Sequence, residues 1–123
     1  MRDAYALLHN IQEAIANIMK YTSQGRQAFE QDELIQIWVI RHLTIIGNIS
    51  RDMPQDFKNQ HPEIAWKELI DMSDVLIHSY FEVDMNRVWD TVEHDLPRLK
   101  ARVDALLNSD GGENEGMEQG KQE

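Results

Sequence analysis

There is no cysteine in these 123 residues. That excludes disulfides, zinc–thiolate sites and thiol nucleophiles, and it suits a reducing compartment such as the cytoplasm. Long apolar runs are missing as well. None approaches the ~20 residues of a membrane span, and the N-terminal "MRDAYALLHN" has no signal-peptide core. Positive charge is in deficit: 12 Lys and Arg stand against 22 Asp and Glu, a formal net charge of −10. Such a chain does not bind nucleic acid broadly through its charge. Any chemistry on RNA would need a local positive site or the cleft of a dimer.

What is present is a chain that is 41% hydrophobic, one domain in length, with enough apolar residues for a single core. From Asn108 to Glu123 the composition turns to Gly, Glu and Gln with no apolar period. That stretch cannot bury enough surface to offset its ordering entropy and reads as a disordered acidic tail. The expected organisation is therefore a helical domain over 1–107 and a tail over 108–123.

Within 1–107 the apolar period is helical throughout. Leu7, Leu8, Ile11, Ile15, Ile18 and Met19 form one amphipathic stripe, which stops near "TSQG", where Gly25 permits a left-handed or turn conformation. A second helix opens in the acidic "EQDE" and carries Leu34, Ile37, Trp38, Leu43, Ile45, Ile46 and Ile49. Those residues surround much of its circumference, which predicts the central, most buried helix. Pro62 suits the first turn of a third, with Trp66, Leu69, Ile70, Met72, Leu76 and Ile77 buried. Asp84 is a good N-cap for a fourth, which carries Met85, Val88, Trp89, Val92, Leu96, Leu99, Val103 and Leu106; Pro97 should kink or split it. The three tryptophans lie on apolar stripes and read as core. No stretch alternates as a strand does. The fold class is all-α, an up-down bundle of about four to five helices.

The chemistry-bearing residues gather at the end of the third helix, in "IDMSDVLIHSYFEVD". At 100° per residue, Asp71, Asp74 and His78 share an arc of about 60°. Two carboxylates there can orient an imidazole, raise its pKa, or share a metal ion. A metal site would need a further donor from elsewhere, and His9, His42, His61 and His94 show no paired ligand spacing. Charge on a helix face is most often simply solvated. Tyr80, two residues on, either anchors the turn beside Phe81 or exposes its hydroxyl.

Three blocks carry a resemblance: "AFEQDELIQIWVIRHLTIIG", "HPEIAWKELIDM" and "LIHSYFEVDMNRVWDTVEHDLPRLKA". They resemble the HepT-like branch of the HEPN superfamily, the toxins of type VII toxin–antitoxin modules. The resemblance covers about Met1 to Leu107. It implies an all-α homodimer acting on RNA as a metal-independent ribonuclease with no cofactor. It also implies an MntA-like nucleotidyltransferase antitoxin as partner. The family motif, an arginine, a polar residue, a short spacer, then histidine and, two residues on, tyrosine, puts the histidine at His78 as general base or acid. Tyr80 falls on the tyrosine that the partner adenylylates, and Asp74 on the polar position.

The arginine position is Ser73, and a hydroxyl supplies neither charge nor a donor fork for a phosphate. Asn48 stands where relatives have a glutamate. The resemblance thus implies a ribonuclease toxin attenuated or inactive in this copy unless Arg41 or Arg51 compensates. The alternative is a non-catalytic helical binding subunit of a minimal nucleotidyltransferase, in which His78 and Tyr80 serve recognition.

Overall fold

The computed structural model describes residues 3–78 and 83–111. These form seven α-helices, with no strand among them, so the all-α expectation holds. Asp3 caps α1 (Ala4–Thr22) by accepting a hydrogen bond from the Tyr5 amide at 3.0 Å. Of the expected stripe, Leu7, Leu8, Ile11, Ile15 and Ile18 are buried, while Met19, at the end of the helix, is exposed. Gly25 breaks the run at φ +105°, ψ 170°, a conformation costly for any side chain. The chain then makes a short α2 (Arg26–Gln31), whose Phe29 plugs the core.

Helix α3 (Glu33–Asp52) starts under the Asp32 carboxylate, which accepts from the amides of Leu34 and Ile35. It packs against both α1 and α5, which makes it the central helix the sequence predicts. Its burial is less complete than expected: Leu34 is 77% and Ile37 56% exposed. Both sit in the first two turns, on a face left uncovered among the described residues. Trp38 is half-buried, its indole N–H donating to the Asn17 carbonyl at 2.7 Å, while Trp66 and Trp89 are core.

After α4 (Gln55–Gln60) the chain turns through Pro62, and α5 (Trp66–His78) begins at Trp66. Pro62 thus lies in a turn and not in the first helical turn. The Trp66 indole donates to the His61 carbonyl at 3.0 Å, and Ile64 is buried, so side chains fix this turn and the helix starts after it.

The fourth expected helix begins as α6 (Met85–Asp90), with the Asp84 carboxylate capping the amides of Asn86 and Arg87. The run is divided next to Pro97, which stands in the first turn of a new α-helix. A π-helical turn at Thr91–Asp95 precedes it, with the Leu96 amide reaching back to the Thr91 carbonyl, and α7 (Leu96–Leu106) follows. The wider turn absorbs the ring and the missing N–H. A second π turn carries the helical backbone past Leu107 to Gly111. The rest of the expected tail, 112–123, lies outside the described residues.

Candidate functional site

The site is built where α3 and α5 meet. Gly47 on α3 faces Ser73 on α5 so closely that a Cβ on Gly47 would lie 2.1 Å from the Ser73 Cβ and 2.9 Å from the Leu69 carbonyl oxygen. Only a glycine opposite a small residue allows this approach. Ser73 is 0% exposed, and its hydroxyl donates to the Thr44 carbonyl at 3.4 Å, a long and weak bond. The residue that the resemblance sets at an arginine position is therefore part of a helix seam, closed to solvent.

Asp74, the next residue, points outward. Its carboxylate accepts from Arg51 Nη2 at 2.5 Å, and Arg51 Nη1 donates to Asn48 Oδ1 at 3.3 Å. Both side chains of the ion pair are nearly half exposed (44% for Arg51, 46% for Asp74). The main chain of Asp74 does a second job. Its carbonyl lies 2.8 Å from His78 Nδ1. A carbonyl only accepts, so Nδ1 carries the hydrogen. The exposed ring then turns Nε2, with its lone pair when neutral, toward solvent.

Asp71 does not join this group. It pairs with Lys67 one turn below at 2.7 Å, and that hydrogen bond holds the Lys67 ammonium above its usual pKa. The acids on this face are thus divided, Asp71 to Lys67 and Asp74 to Arg51. The imidazole is oriented by a backbone carbonyl and by neither carboxylate. Sequence spacing finds the three residues on one face; the pairing of Asp74 with α3 depends on the register between two helices, which spacing does not carry. Arg41 is exposed and, among the described residues, makes no ion pair. Tyr80, the expected modification site, lies outside the described residues.

The other flank of α5 is open. A cavity of about 310 Å³ lies between α5 and α6, walled by Met72, Val75, Leu76, Val83, Arg87 and Val88. A second, of about 290 Å³, continues toward α7, where Arg87, Arg98 and Arg102 share the wall with Glu68 and Asp95. None of these arginines makes an ion pair among the described residues. The sequence reading did not single them out, although 98 and 102 have the four-residue spacing of one helix face. His94, set aside above for want of paired ligand spacing, does have Asp90 and Glu93 beside it, the ligand atoms of the three lying within 4.8 Å of one another on the exposed side of the π turn.

Comparison with known proteins now decides the family. The family model described as HepT-like, "Ribonuclease HepT-like", matches residues 11–106. The chain belongs to the HepT-like ribonuclease family. A Thermococcus cleftensis protein named "Probable ribonuclease HepT" is 45% identical over 100 residues, covering 80% of this chain and 91% of its own. A Methanocaldococcus jannaschii protein described as a "Putative RNase" is 35% identical over 106 residues, 85% of this chain and 97% of its own. No solved structure matches significantly. Among the described residues, no helix of this HepT-like chain is long and apolar enough to cross a membrane.

Proposed function

We propose that this HepT-like chain is the toxin of a toxin–antitoxin module, a cytoplasmic, metal-independent endoribonuclease of attenuated activity. The observation that carries the reading is His78: Nδ1 is fixed by the Asp74 carbonyl, and Nε2 faces solvent at the end of α5. In that tautomer Nε2 takes the proton of a ribose 2′-hydroxyl. The 2′-oxygen forms the new bond to phosphorus, and the bond to the 5′-oxygen breaks. The departing oxygen takes a proton from water or from a second imidazolium. Attenuation follows from Ser73, since loss of a preorganised donor costs roughly 10²–10³ in rate.

The working unit is a homodimer with two such sites across one cleft. Its support is the apolar surface beside His78: Val75 is 52% and Ile77 46% exposed. Arg87, Arg98 and Arg102, without ion pairs among the described residues, supply the local positive surface that RNA requires on an acidic chain. An MntA-like nucleotidyltransferase antitoxin silences the toxin by adenylylating Tyr80. Incubation of the two proteins with ATP then adds the mass of AMP to the Tyr80 peptide; label found only elsewhere sinks that assignment.

Cleavage of a mixed-sequence single-stranded RNA by the wild type, lost in His78→Ala, tests the central claim. The buried, uncharged Ser73 favours one rival, a non-catalytic binding subunit. Folded dimers that leave RNA intact in every variant, Ser73→Arg included, would establish it.

A further inference from the structure

We infer that Arg51, on α3, is the cation that meets the scissile phosphate in this chain; the inference rests on the ribonuclease reading of His78. Phosphodiester cleavage builds negative charge on the phosphorus oxygens, and a site without a metal needs a fixed donor there. Ser73 cannot supply one, being uncharged and sealed between two helices. The guanidinium of Arg51 is hydrogen-bonded to Asp74, the residue whose own carbonyl orients His78. Residues four apart on a helix have Cβ atoms about 5–6 Å apart, so one side of Asp74 holds the cation and the next turn holds the base. The next cation on this face, Lys67, is tied to Asp71, two turns below His78.

The donor count leaves room for a substrate. Arg51 has five N–H groups; Asp74 takes one through Nη2 and Asn48 takes one through Nη1. Three remain for the two non-bridging oxygens of a phosphate, and the side chain is 44% exposed. An exposed ion pair of this kind is weak, so the guanidinium turns from carboxylate to phosphate at little cost. Three features of the sequence that look separate, a serine at 73, an acid at 74 and an amide at 48, therefore meet at one side chain. Asn48 and Asp74 grip Arg51 from two helices, and the small Ser73 lets those helices close enough for the grip. Asp74 neutralises part of the charge, which keeps the site weaker than one with a free arginine.

Five proteins decide the matter: wild type, His78→Ala, Arg51→Gln, Arg51→Lys and Ser73→Arg, each assayed on the same single-stranded RNA with folding checked by circular dichroism. The expected result is slow cleavage by the wild type, none by His78→Ala, and a loss of roughly 10²–10³ in Arg51→Gln, with Arg51→Lys in between because a lysine keeps the charge without the fork. Arg51→Gln that cuts as fast as wild type overturns the role of Arg51 and leaves the ribonuclease reading standing. A silent wild type beside an active Ser73→Arg does the same. Silence in every protein overturns both. Arg51 is exposed, so folding of its variants is not in question, and the comparison with wild type does not depend on whether Ser73→Arg folds.

Discussion

Helix α5 is held tightly on one flank and loosely on the other. Toward α3, the bare backbone of Gly47 lies against the Ser73 side chain and the Leu69 carbonyl with no room for a Cβ. Toward α6 and α7 it borders two cavities of about 310 and 290 Å³. The difference separates two tasks. The tight flank sets where Arg51, Asp74 and His78 stand relative to one another, because Asp74 and His78 ride on α5 and Arg51 on α3. The loose flank, with the flexible side chain of Met72 in both cavity walls, can adjust to whatever occupies it.

Substitutions can break this contrast. The largest effect should come from Gly47→Ala: its methyl would collide with the Ser73 side chain and the Leu69 carbonyl, forcing the helices apart at about 3 kcal/mol in denaturant unfolding. Ser73→Gly in that background should recover part of the loss. Met72→Ala, on the loose flank, should cost only about 1 kcal/mol, since its surroundings already include open space. A cost matching that of Gly47→Ala would erase the distinction.

Asp74→Asn keeps an acceptor for Arg51 while removing the charge that competes with phosphate. RNA cleavage by it should rise about three- to tenfold, the size expected for one charge removed a turn from the reacting centre in a solvated site.

The smallest effect lies away from both flanks. The Asp104 carboxylate, bonded to Lys100 at 2.6 Å and to Gln12 at 2.8 Å, is held below the usual carboxylate pKa, chiefly by the lysine. A carboxylate with a lowered folded-state pKa stabilises above its unfolded pKa and loses that contribution as pH falls through the folded one. Asp104→Asn should thus lower stability by under about 1 kcal/mol at pH 7, with the gap to wild type closing below about pH 4, as read by melting temperature.

Much of the fold is legible in the sequence because its signals are local. Asp84 caps a helix through amides two and three residues on, and the α1 stripe needs only its own periodicity. Leu34, Ile37 and Ile77 mislead because apolar spacing marks a face without saying whether a partner covers it. Pro97 was legible as an irregularity but not as a π turn, since the backbone has more than one way to accommodate a proline. For the site, His78 and Asp74 could be read from one helix. The burial of Ser73 and the bond from Arg51 to Asp74 could not, as both depend on Gly47 setting the approach of a second helix.

That approach has a thermal consequence. Where a glycine backbone meets one short serine side chain, few rotamers lie in the contact to soften it as temperature rises. The offset between α3 and α5 then persists until the bundle itself gives way. Catalytic competence and helical signal should disappear together on heating, with no interval in which the protein is folded but inactive.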